Sequence, residues 1–106
     1  MATDTEKLRR IDASLSSILA ETDFLPDLQE AWDRQPENAR IDWGLEWRDL
    51  MARLENLDCD YRDDIMTQEQ RGRYRELLVK LKAQLPILRL LDLDLPSVPL
   101  DTEVAA

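Results

Sequence analysis

Apolar residues recur at helical spacing along most of the chain. Leu8, Ile11, Leu15, Ile18 and Leu19 fall at intervals of one, three and four. At about 100° per residue they share one stripe, the mark of a helix with a single buried face. Ahead of them Thr3-x-x-Glu6 has the form of a capping box, in which hydroxyl and carboxylate satisfy the free backbone donors of a first turn. The pattern predicts a helix over 4–21, ended by the run from Thr22 to Pro26. A shorter helix is expected over 24–34, with Pro26 tolerated in its first turn, Leu25, Leu28 and Trp32 facing inward, and a stop before Pro36. Residues 35–40 read as a linker.

A third helix is predicted over 40–57, with Trp43, Trp47, Leu50, Met51, Leu54 and Leu57 on one face and Ile41 and Leu45 on another. Residues 58–66 read as an irregular acidic connection. Thr67-x-x-Gln70 then forms a second capping box and opens the most regular stripe in the chain, Tyr74, Leu77, Leu78, Leu81, Leu85 and Leu88, predicted as a helix over 67–85. Pro86 should kink or end it, leaving a short turn from Ile87 to Leu91. Beyond it Leu91, Leu93 and Leu95 alternate, and Pro96 and Pro99 follow, so an extended segment is expected. The fold class is all-α: a small antiparallel bundle of about four helices over residues 1–91, with an extended C-terminal tail over 92–106. Only two glycines in 106 residues agree with long helices and few tight turns.

Charge adds an asymmetry. Between Arg71 and Arg89 there are six basic residues and one acid, Glu76, against eight basic and twenty-two acidic residues elsewhere. The basic residues border the apolar stripe, Arg71, Arg75 and Lys82 on one side and Arg73 and Lys80 on the other. Such a helix is built to lie against an acidic surface, either the rest of the chain or a second copy. Pairing with Glu46, Asp49 or Glu55 on the third helix is expected.

The candidate chemistry is thin. There is no histidine, which excludes Ser-His-Asp and Cys-His nucleophile pairs and histidine metal sites. The Asp58–Asp64 cluster fails as a calcium loop, since Arg62 stands at the fifth position and Asp63 at the sixth, where glycine is required; Asp63 or Asp64 is instead expected to lead into the next helix. Cys59 lies among aspartates, the opposite of the electropositive setting of a reactive thiol. No pair of carboxylates stands in an apolar run as an acid/base couple needs. No enzyme activity, cofactor or metal is therefore expected. A net charge of −9 speaks against nucleic-acid binding, and no apolar run reaches the ~20 residues of a membrane span. A lone cysteine and an N-terminus unlike a signal peptide point to the cytoplasm. The final Val104-Ala105-Ala106 resembles the C-terminal Ala-Ala degradation signal of bacterial proteins.

These constraints lead to a non-catalytic helical module for protein–protein interaction, expected to be a homodimeric scaffold or regulatory subunit of a bacterial assembly. The alternative is an acidic inhibitor that imitates nucleic acid to block a basic partner. The candidate interface consists of Ile41, Trp43, Leu45, Trp47, Leu91, Leu93 and Leu95, the places where apolar side chains outnumber obvious partners within the chain.

Overall fold

The computed structural model describes the backbone of residues 2–100 and the side chains from Thr5 to Leu100. Among these residues it is all-α, with helices α1 (Ala2–Ala31), α2 (Glu37–Arg62), α3 (Gln68–Ala83) and α4 (Leu85–Leu90) and a single 3-10 turn at Trp32–Arg34. Residues 91–100 contain neither helix nor strand. The side chain of Thr3 and the Val104-Ala105-Ala106 terminus lie outside the described residues.

The two predicted N-terminal helices are one. α1 runs for 30 residues straight through Pro26, because the buried stripe does not stop where the helix-breaking residues stand. Ile11, Leu15, Ile18, Thr22, Leu25 and Leu28 are all buried, and they recur at intervals of three and four. Thr22 can occupy this stripe because its hydroxyl donates back to the Ile18 carbonyl at 2.7 Å, leaving no buried polar atom without a partner. The ring of Pro26 faces solvent. The burial of Leu25 and Leu28 offsets the backbone hydrogen bond that proline cannot donate.

α2 is likewise longer than expected. It starts at Glu37, so the linker shrinks to Gln35 and Pro36, and it continues to Arg62 across the acidic stretch predicted to be irregular. Two interactions hold that extension: buried Asp58 receives a hydrogen bond from the Tyr74 hydroxyl at 3.0 Å, and the Tyr61 ring lies 5.0 Å from that of Tyr74. Asp63 and Asp64 end this helix rather than start the next. Asp64 adopts φ 60°, and the Ile65 amide donates to the Asp60 carbonyl while that of Asp64 reaches Tyr61. This is a Schellman motif with aspartate in the left-handed position usually held by glycine. The same motif closes α4: Asp92 has φ 58°, Leu93 donates to the Leu88 carbonyl and Asp92 to that of Arg89. The expected apolar contact of the motif is met by Leu88 and Leu93, both buried. That turn breaks the alternation of Leu91, Leu93 and Leu95. Leu91 and Leu93 face the core, whereas Leu95 is exposed.

α3 begins at the predicted capping box. The Thr67 hydroxyl accepts from the Gln70 amide and the Gln70 side-chain oxygen accepts from the Thr67 amide, both at 3.1 Å. Its stripe is buried at Tyr74, Leu77, Leu78 and Leu81, but the helix stops at Ala83, and after a break at Gln84 the residues expected as a short turn belong to α4, which starts at Leu85 and accommodates Pro86 in its first turn.

The order is up, down, up. Lys7 meets Asp60 and Phe24 stacks on Trp43, so α1 and α2 are antiparallel; Asp12 meets Arg73 and Asp23 meets Lys80, so α1 and α3 are parallel. The basic borders of α3 do find acidic partners within the chain, but not those predicted on α2. One border pairs with Asp12 and Asp23 of α1. On the other, Arg71 lies over the Tyr61 ring and bonds Asp64 at 3.3 Å, while Arg75 donates to the Tyr61 hydroxyl. Glu46 and Asp49 point elsewhere, and Glu55 accepts from Ser97. Each partly exposed pair is worth at most ~1 kcal/mol, against ~1.5–3 for burial of one leucine, so burial holds the bundle and charge selects which faces meet.

Candidate functional site

A flat molecule leaves one helical layer uncovered. The principal dimensions are 47 × 32 × 18 Å and the radius of gyration is 14.7 Å, compared with about 13 Å for a globular chain of this length. α3 covers one side of the α1–α2 pair. On the other side lies a long cleft to which only α1 and α2 contribute.

The cleft has two parts. The first, about 660 Å³, is lined by Lys7, Arg10, Ala13 and Ser14 of α1 and by Arg53, Asn56, Cys59 and Asp60 of α2. The second, about 760 Å³, is lined by Ser17, Ala20 and Glu21 of α1 and by Trp43, Leu45, Glu46, Asp49 and Leu50 of α2. Arg53 lines both and pairs with Asp49 at 3.1 Å. One end is thus mainly basic and the other acidic.

An aromatic ladder supports the acidic end. Phe24, Trp43 and Trp47 stack in sequence, with ring centroids 6.1 and 6.3 Å apart, leading from the surface to the core. Trp47 is fully buried, and its indole N–H donates to the Asp94 carbonyl at 2.8 Å, while Arg48 reaches the Asp94 carboxylate at 3.1 Å. These bonds pin the C-terminal segment along α2, where Val98 is buried. Leu45 stands on the ridge between the α1–α2 cleft and a smaller one of about 310 Å³, lined by Trp32, Arg40, Ile41, Gly44 and Leu93.

The seven candidate interface residues therefore separate. Ile41 and Leu45 are exposed at 55% and 56%, Leu95 is exposed at 46%, and Trp43 is half-buried. Trp47, Leu91 and Leu93 are core residues; Trp47 is fully buried, and Leu91 and Leu93 reach the surface only as part of the wall of the smaller cleft. Phe24, 45% exposed and stacked on Trp43, joins the patch. Its place beside an expected helix end concealed it; with the stripe continued through Thr22, Phe24 falls on its border.

The acidic cluster is dispersed by the helix that carries it. Asp58 turns inward to Tyr74 and Arg62, Asp60 faces Lys7, and Asp64 faces Arg71. Among the described residues no group of three potential metal ligands comes together, and no helix is long and apolar enough to cross a membrane. Tyr74 has a strongly displaced titration. Burial, followed by the adjacent Asp58 charge, pushes its phenol far above the ordinary value. Its hydroxyl is spent on a structural bond and does not open to a cleft. Cys59 is a free, exposed thiol on the basic part of the cleft wall.

No known protein family, curated protein or solved structure matches this chain.

Proposed function

We propose that the protein is a non-catalytic interaction module that docks another protein on its α1–α2 face, as a scaffold or regulatory subunit of a larger assembly. The observation that carries this reading is the uncovered apolar patch of Phe24, Ile41, Trp43 and Leu45, set between two clefts. Such a patch rimmed by charge is typical of a protein-binding surface. The placement of the basic residues adds support. Arg71, Arg73 and Lys80 are engaged with the chain's own acids and aromatic rings, which leaves the apolar patch as the less satisfied surface. In this reading the chain works in the cytoplasm, where an exposed thiol such as that of Cys59 stays reduced.

The test is capture from a native lysate with the wild type and with Leu45→Glu, each at low and high salt. A partner that stays bound at high salt and is lost with Leu45→Glu is the expected result. Release by salt alone, with Leu45→Glu still binding, would refute an apolar docking face and favour the nucleic-acid mimic.

A further inference from the structure

The geometry points to a second copy of this chain as the occupant of the α1–α2 face, packed antiparallel about a two-fold axis that crosses the helices near Leu15 and Ser16. This rests on the reading of that face as a docking surface and names what docks there.

Charge supplies the argument. Arg10 lines the basic part of the cleft, and Glu21 and Glu46 line the acidic part. None of the three forms an ion pair among the described residues, although Lys7, Asp49 and Arg53 beside them all do. Arg10 and Glu21 are eleven residues apart on α1, about 16 Å along the axis, with Leu15 and Ser16 midway. An in-plane two-fold axis across the helices therefore sets Arg10 of each copy at the level of Glu21 in the other, with Glu46 alongside. Both unpaired ends are satisfied twice over. The alternative axis, parallel to the helices, brings basic end to basic end and acidic end to acidic end. A partner must carry the same dipolar pattern reversed, and this chain carries it.

Shape and size agree. At the level of the axis the cleft is lined on α1 by Ala13, Ser14 and Ser17, which let a facing helix come close. Between Lys7 and Phe24 the face is about 26 Å long and two helices wide, so a pair of copies would bury about 1,100 Å², just under the ~1,200 Å² of a standard stable interface and in the range of weaker pairs that form at tens of micromolar. Each copy has a net charge of −9, so long-range repulsion opposes the pairing and local complementarity must supply the register. A charge exchange is accordingly a sharper probe than salt.

Sedimentation equilibrium of the purified chain measures the mass against the 12.4 kDa of one copy. The wild type is expected to dimerise at tens of micromolar. Arg10→Glu and Glu21→Arg should each weaken the dimer about tenfold or more, and the double variant Arg10→Glu/Glu21→Arg should return to within about threefold of wild type. Far-UV circular dichroism checks that each variant keeps its helix content. A wild-type monomer throughout that range, or a double variant no tighter than the single ones, overturns the proposal. A monomer whose lysate partner is still lost with Leu45→Glu assigns the face to a different protein. A dimer indifferent to Arg10→Glu, Glu21→Arg and Leu45→Glu overturns the docking face as well.

Discussion

Replacing Tyr74 with phenylalanine isolates a buried polar contact between α2 and α3. The ring is fully buried and phenylalanine fills nearly the same volume, so the packing against Tyr61 survives and only the hydroxyl is lost. That hydroxyl is one of two donors to Asp58, which is 6% exposed; the other is Arg62, at 2.9 Å. A hydrogen bond to a charged group is worth a net ~1.5–3 kcal/mol, and that is the expected cost of Tyr74→Phe in urea unfolding at neutral pH. The difference should shrink in alkali. The phenol is held above its ordinary value in the folded state, so the folded protein keeps a proton that the unfolded chain releases near pH 10. The stability linked to that proton is complete below about pH 9 and declines as pH rises through the unfolded value near 10, by about 1.4 kcal/mol between about pH 9 and 11. Tyr74→Phe lacks this loss, and the difference between the two proteins isolates it from every other titrating group. Parallel loss of stability in both across that range, or a cost below ~0.5 kcal/mol at neutral pH, would refute the buried hydrogen bond.

Two further substitutions probe the helix ends and interior. Pro26→Ala restores an amide that can donate to the Thr22 carbonyl; interior proline costs ~3 kcal/mol relative to alanine, less ~0.4–1 recovered through the unfolded chain, so thermal melts should show a gain of about 2 kcal/mol. A lower melting temperature would mean that α1 is not regular at that turn. Asp92→Gly should stabilise by ~0.5–1 kcal/mol, since Asp92 holds a left-handed φ of 58° that glycine adopts freely; an unchanged denaturation midpoint would show that the aspartate side chain compensates locally.

The sequence by itself determined the fold class, the α3 capping box, the α3 stripe, a break close to Pro86 and the surplus apolar surface at Ile41 and Leu45. These are local properties: a period of three to four, or a hydroxyl three residues before a glutamine, has the same meaning wherever the segment lies. Element boundaries were legible only where local and tertiary preferences agreed. At Thr22 and Pro26 they conflicted, and the buried contacts of Leu25 and Leu28 outweighed the cost of the proline. At Asp58 a carboxylate that reads as solvated is instead buried, because a tyrosine sixteen residues away supplies a donor. Both Schellman turns use aspartate where glycine is the usual signal, so nothing in composition announced them.

The candidate site was legible in part for the same reason. Periodicity shows that a side chain is off the main stripe, as for Ile41 and Leu45, but not which neighbours cover the stripe itself. Trp47, Leu91 and Leu93 left the surface because α4 packs against α1 and α3 and the segment after it runs back along α2, held by the indole bond to Asp94. Charge counting showed that the basic helix needs an acidic neighbour. Only the up-down-up order of the helices decided that Asp12 and Asp23 of α1 would be that neighbour, and that Arg10 and Glu21 would be left facing outward at opposite ends of one cleft.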